Sequence, residues 1–184
     1  MKNHTETDAP EQSPEITLIR EELTAALGRL SREDVDRAVR QLLSHERIFV
    51  GGAGRTGLML KAFAMRLMQA GRTVFAAGET VTPAVREGDL LFLASASGKT
   101  RTVVNYARTA LEAGAELFTV TASEDSPLAV LHPADVVLPC GGEEGSGQIM
   151  GSLFEQTLLI YCDAVALALP ADREEMRSRH ANLE

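Results

Sequence analysis

The stretch Asp89-Leu90-Leu91-Phe92-Leu93-Ala94-Ser95-Ala96-Ser97-Gly98-Lys99-Thr100-Arg101-Thr102-Val103-Val104-Asn105 decides how the rest of the chain is read. Its first half is an apolar run with the length of a buried strand. Its second half opens an amphipathic helix, with Val103, Val104 and Ala107 on one side. Between them, small hydroxyl residues and a glycine stand where a helix begins, so several backbone N–H groups lack partners and point at one spot. Such a spot favours an anion. Hydroxyls of Ser95, Ser97 and Thr100 add donors, and Gly98 is expected to let a ligand approach the backbone with no Cβ in the way. The reading is a cradle for the phosphate of a small molecule; the plainer alternative is an ordinary Ser/Thr N-cap.

Working outward, strand-like and helix-like segments alternate on both sides of this stretch. Strands are expected at Arg47 to Val50, Thr73 to Ala77, Asp89 to Ala94, Glu116 to Thr121 and Asp135 to Leu138. Helices are expected after Gly57 up to Ala70 with Gly71 closing, after Thr100 to near Gly114, over Ser126 to Leu131, and from the Met150 region to Leu169 with Pro170 as the stop. A last polar helix covers Arg173 to Arg179. This alternation implies an α/β fold with helices on both faces of a parallel sheet, whose ligands collect at the carboxyl ends of the strands. Each glycine- or hydroxyl-bearing loop comes after a strand, so all of them fall on that edge.

Two amphipathic helices precede the first strand. Ile16, Ile19, Leu23, Ala26, Leu27 and Leu30 form the stripe of one, and Ser31 with Asp34 starts the other as a capping box. Their expected work is packing. Residues 1–14 read as a disordered lead, being polar and containing Pro10 and Pro14, and residues 15–184 as one domain with a helical extension. Gly141 to Gly147 reads as a flexible, acidic connector.

The 184 residues are 45% apolar, enough for one sizeable core. A net charge of -8, without a Lys/Arg cluster, argues against nucleic acid or an anionic membrane as a partner. Cys140 and Cys162 show no metal-like spacing and fit a reduced compartment. With no signal peptide or membrane span, the expectation is a soluble cytoplasmic protein. The helix Leu58 to Met68 is apolar on nearly every side, which predicts a subunit contact. Gly52-Ala53-Gly54-Arg55-Thr56-Gly57 also satisfies the G-x-G-x-x-G dinucleotide pattern, with Glu79 as its acid; NAD or FAD is the rival ligand on that weak signal.

Taken together, Gly52 to Gly57, Leu60 to Leu67, Gly78-Glu79-Thr80, Ser95 to Gly98, Asn105 and Met150-Gly151-Ser152-Leu153-Phe154-Glu155-Gln156 resemble the 6-phospho-3-hexuloisomerases of the sugar isomerase (SIS) superfamily. The likeness runs from about Ile16 to the C-terminus. It implies a three-layer α-β-α sandwich on a five-stranded parallel sheet, a homo-oligomer that is a tetramer of dimers, and interconversion of D-arabino-hex-3-ulose 6-phosphate and D-fructose 6-phosphate. That reaction serves formaldehyde assimilation by the ribulose monophosphate route. Other readings within the superfamily are an arabinose 5-phosphate isomerase or a non-catalytic sugar phosphate sensor. Three residues depart from the family pattern: Thr56 stands for Ser, Lys99 for Glu, and Ile149 for the Pro before Met150. Lys99 alters the charge beside the phosphate, and Ile149 leaves the path of the loop before Glu155 open.

Moving a ketone from C3 to C2 passes through a 2,3-enediol and needs a proton-transfer group but neither a metal nor a redox cofactor. Glu155 is the expected base, although Ser152 to Glu155 also spells a capping box. His180, in a tail His-Ala-Asn-Leu-Glu that matches the family, is the expected second proton carrier, in its own or a neighbour's site. Gly54, Arg55, Thr56 and Thr80 complete the expected binding set, Arg55 through its fork of donors.

Overall fold

The computed structural model describes residues 12–141 and 145–183. The disordered lead expected over residues 1–14 therefore falls mostly outside the described residues. Its end is ordered: Ser13 caps, and Pro14 opens, helix α1 (Pro14–Leu27). Proline is suited to that first helical position, where its missing N–H would be unpaired in any case.

The other elements are α2 (Arg32–Ser44), β1 (Arg47–Gly51), α3 (Gly54–Gln69), β2 (Thr73–Ala76), β3 (Leu90–Ser95), α4 (Arg101–Glu112), β4 (Glu116–Thr121), α5 (Pro127–Leu131), β5 (Val136–Val137), α6 (Ser152–Ala168) and α7 (Arg173–Ser178). The five strands form one parallel sheet in the order β2-β1-β3-β4-β5. β1 and β3 are hydrogen-bonded neighbours, with Val50 opposite Phe92 and Gly51 opposite Leu93. The chain leaves β1 towards one edge and returns to β3 on the other side, so the loops after β1 and β3 part above the sheet and open a crevice.

Side-chain alternation divides the core. Ile48 and Val50 of β1 and Leu90, Phe92 and Ala94 of β3 point to the face covered by α1, α2, α3 and α6; Phe49, Leu91 and Leu93 point to the face covered by α4 and α5. All six residues of β3 are buried, as expected for the centre of a parallel sheet. On the larger face Phe63, Phe92 and Phe118 follow one another at ring-centroid distances of 5.3 and 4.8 Å. The N-terminal helices do pack on the domain, both of them against α6. α2 is pinned further where the Tyr161 hydroxyl donates to the carbonyl of Asp34 at 2.8 Å, and where Arg37 donates to the carbonyl of Asp135. The capping box of Ser31 and Asp34 forms as expected.

A candidate anion cradle with a carboxylate in its wall

Three chain segments that leave strands or loops as helices meet over the crevice. They are the turn after β1 (Ala53, Thr56), the turn after β3 (Ala94 to Ser97, Lys99, Thr100), and the start of α6 (Met150, Gly151, Phe154, Glu155). With Ala122, Ser123 and Cys140 they line a cavity of about 390 Å³. This is the size range of a small-molecule site.

The helices that begin here begin without caps. Ala53 precedes α3, Thr100 precedes α4 and Gly151 precedes α6, and none accepts a side-chain hydrogen bond from the first turn. Thr100 is a residue able to cap, but its hydroxyl is 3.1 Å from that of Ser95. The positive ends of three helix dipoles are therefore directed to the same edge of the sheet. Lys99 adds a mobile ammonium on the lining, and Ser97 an exposed hydroxyl whose oxygen accepts the N–H of Lys99 at 3.2 Å.

Glu155 lies one turn into α6, its side chain only 13% exposed. The capping box spelled by Ser152 to Glu155 does not form. Gly151, at φ 77°, takes the capping position, which places Ser152 inside the helix and frees the carboxylate. Arg55 fills the gap instead. Its Nε lies 3.0 Å from Glu155 Oε2, and its Nη1 donates to Ser152 Oγ at 3.2 Å. The Nε contact is an ion pair without hydrogen-bond alignment, so Oε2 is a buried oxygen that accepts no hydrogen bond. A carboxylate oriented by a guanidinium, with lone pairs unspent, is equipped to take a proton from a bound molecule.

Of the residues expected from sequence, Thr56, Ser95, Ser97, Thr100 and Glu155 share the cavity wall, and Arg55 stands behind Glu155. Three others need correction, and His180 lies outside the cavity of its own chain. Gly98 does not clear a path for a ligand. It is buried at φ 61°, and a Cβ there would stand 2.6 Å from Ser126 Cβ, so this glycine lets β3's loop pack on the start of α5. Gly54, at φ 57°, lines a separate cleft of about 260 Å³ with Gly52, Lys61, Gly78 and Glu79. Thr80 is exposed and outside the cavity, because β2 is the edge strand and the loop after it borders clefts lined with Tyr106 instead. His180 is exposed, and its Nδ1 lies 3.1 Å from the carbonyl oxygen of Ala181, to which it donates. Its neighbour Arg179 donates to the carbonyl of Gln69, at the opposite end of α3 from Arg55. At 1.5 Å per residue, α3 keeps His180 roughly 20 Å from the cavity of its own chain.

Ser123, Ala122 and Cys140 were missed in the sequence. Ser123 had a signal, since Thr121-Ala122-Ser123 repeats the strand-then-hydroxyl pattern of Ser95 to Ser97. Cys140 had none. Burial pushes its thiol up from the ordinary range, with the Thr157 hydroxyl working against that shift. Gly52 and Gly57 of the dinucleotide-like pattern have a packing role: a Cβ on Gly57 would stand 2.8 Å from the carbonyl oxygen of Gly52. Glu79, the acid of that pattern, is paired with Lys61. Ile149 leaves the loop path regular, its carbonyl accepting the N–H of Ser152 at 3.0 Å.

Sheet order and crevice define a class, the parallel α/β sandwiches with a small-molecule cavity where three helices start. The comparisons with known proteins agree on which one. The SIS domain family matches residues 41–166. A 3-hexulose-6-phosphate isomerase from Mycobacterium gastri is 44% identical over 178 residues, 92% of this chain and 89% of that protein. Another from Bacillus subtilis is 39% identical over 92% of this chain and 97% of its own. A crystal structure of a hypothetical protein from Methanococcus jannaschii, described as inferring a 3-hexulose-6-phosphate isomerase function, superposes with a TM-score of 0.77 at 28% identity, covering 92% and 99% of the two chains. The chain belongs to the SIS domain family, in the branch of the 3-hexulose-6-phosphate isomerases. No described helix is long and apolar enough to cross a membrane.

Proposed function

We infer that the protein is a ketose phosphate isomerase interconverting D-arabino-hex-3-ulose 6-phosphate and D-fructose 6-phosphate. The observation that carries the mechanism is the meeting, in one cavity, of three uncapped helix starts with a carboxylate whose oxygen is unspent. The phosphate sits among Ser95, Ser97, Thr100 and the first turn of α4, with Lys99 as a second cationic contact. Held by that end, the sugar extends towards α6. Glu155 removes the C2 proton as the C3 carbonyl becomes a hydroxyl, giving the 2,3-enediol. The same carboxyl then delivers a proton to C3 while the O2 proton leaves and the C2 carbonyl forms. Arg55 keeps Glu155 aimed at those carbons.

The site is completed by a second copy of the chain. Leu58, Met65 and Met68 on α3 and Leu167 on α6 are exposed on the layer that carries Arg55 and Glu155. Burying them favours a homo-oligomer, a tetramer of dimers as the resemblance implies. In that assembly His180, remote from its own cavity, reaches a neighbour's and moves the proton between the two oxygens. Mixing a Glu155→Gln chain with a chain truncated after Arg179 tests this: partial recovery of activity in mixed oligomers supports it, and full activity of the truncated chain alone excludes it.

The function itself is tested by a coupled assay in which formaldehyde, ribulose 5-phosphate and a hexulose phosphate synthase supply the substrate. Fructose 6-phosphate must appear only when this protein is added; its absence sinks the reading.

A further inference from the structure

The segment that delivers Glu155 to the cavity is fastened from the far end of the sequence. Glu22, on α1, accepts from three donors on the approach to α6: Ser146 Oγ at 2.7 Å, the Gly147 N–H at 2.6 Å and Gln148 Nε2 at 2.9 Å. Those donors, the Ser146 hydroxyl foremost, hold the Glu22 carboxyl below the usual carboxylate range. Leu18, one turn earlier on α1, lies 3.2 Å from where a Cβ on Gly147 would stand, so the backbone there is pressed flat against the helix.

Beyond this fastening the backbone makes one tight turn, closed by the Ser152 N–H donating to the Ile149 carbonyl at 3.0 Å. Met150, at φ 55°, and Gly151, at φ 77°, are left-handed in succession, and Met150 is the non-glycine residue in that region among the described residues. Such a conformation is strained for a residue with a Cβ. Met150 is 84% exposed, so packing of its own side chain does not fix it. Leu153, Phe154, Leu158, Tyr161 and Val165 are buried and anchor α6 from its first turn onward. The short turn that joins this anchored helix to the fastening is the part whose path the clasp sets.

We propose that Glu22 is a positioning residue for isomerisation: by clasping Ser146, Gly147 and Gln148 it sets the left-handed Met150–Gly151 turn that aims Glu155 into the cavity. This rests on Glu155 being the base. It gives α1, whose other work is packing, a part in turnover.

The test compares Glu22→Ala, Glu22→Gln and the neighbouring exposed Glu21→Ala in the full-length protein, reading kcat, KM, melting temperature and deuterium uptake of residues 145–155. A base displaced by about 1 Å loses up to ~10²-fold in rate, so Glu22→Ala should lower kcat by at least ~10-fold. KM should stay near wild type, because the phosphate contacts stand on β3 and α4. Deuterium uptake should rise in 145–155 and not around Ser95 to Thr100. Glu22→Gln, which keeps an acceptor oxygen, should fall between wild type and Glu22→Ala, and Glu21→Ala should match wild type in all four measurements. Wild-type kcat in Glu22→Ala overturns the proposal, as does unchanged uptake in 145–155. If the wild-type protein itself does not isomerise, the function reading fails instead, a result the uptake data leave separate.

Discussion

Helices α1, α2, α5 and α7 start on Ser13, Ser31, Ser126 and Asp172, each of which accepts a hydrogen bond from the first turn. Helices α3, α4 and α6 start on Ala53, Thr100 and Gly151, none of which does. The physical problem is the same at all seven ends, since the first N–H groups of a helix have no partner within it. Away from the cavity the chain solves it with its own side chains. Around the cavity it leaves the groups unpaired and directs them at one volume. The difference teaches that the site is made by withholding a local stabilisation of about 1 kcal/mol per helix.

The comparison can be broken or sharpened by substitution. The largest effect is expected at α6, where Glu155→Gln should lower kcat by ~10²-fold or more while fructose 6-phosphate still binds, as measured by turnover and calorimetry. Near-normal turnover would remove Glu155 from the mechanism. Next, supplying α4 with the cap it lacks should set function against stability. Thr100→Asp places a carboxylate where the phosphate is proposed to sit and should raise KM by about tenfold or more, while the melting temperature holds or rises through the favourable charge at a helix start. A lower melting temperature with unchanged KM would show that the α4 terminus is not an anion seat. The converse change, Ser31→Ala at α2, should cost about 1 kcal/mol of stability in chemical denaturation and leave kcat/KM alone.

The smallest effect concerns the cavity's thiol. Burial pushes both Cys140 and Cys162 up, so the folded state keeps them neutral. That contribution is complete below the ordinary thiol pKa of about 8.5 and is lost as pH rises above it, because the unfolded chain then ionises first. The melting temperature should therefore decline between about pH 8 and pH 10. Iodoacetamide should label Cys140 slowly at neutral pH despite its place in the wall, and rapid labelling would contradict a neutral thiol there.

The fold was legible in the sequence because its signals are local. The apolar run of β3, the hydroxyl loops after strands and the stops at Gly71 and Pro170 each lie within a few residues of what they determine. Strand limits differ by one or two residues: Ser95 and Gly51 extend β3 and β1, whereas only Val136 and Val137 of the expected β5 span form strand. The site was half legible. Ser95, Ser97, Thr100 and Glu155 announce themselves by type and position. Gly98 misled because its neighbour in space is Ser126, from the next αβ unit. Ser152 to Glu155 misled because the cap pattern says nothing of a left-handed Gly151 that shifts the helix start by one residue. Thr80 misled because β2 is the edge strand, which local spacing does not reveal, and Gly54 because, at the first position of α3, it lines the cleft shared with Gly78 and Glu79 rather than the cavity. Nothing in local spacing could pair Glu22 with Ser146.

Because α6 packs against α1, α2 and α3, the helix that carries Glu155 also closes the larger face of the core. In a domain that folds as a unit, the core face and the carboxylate in the cavity wall are therefore completed in the same step.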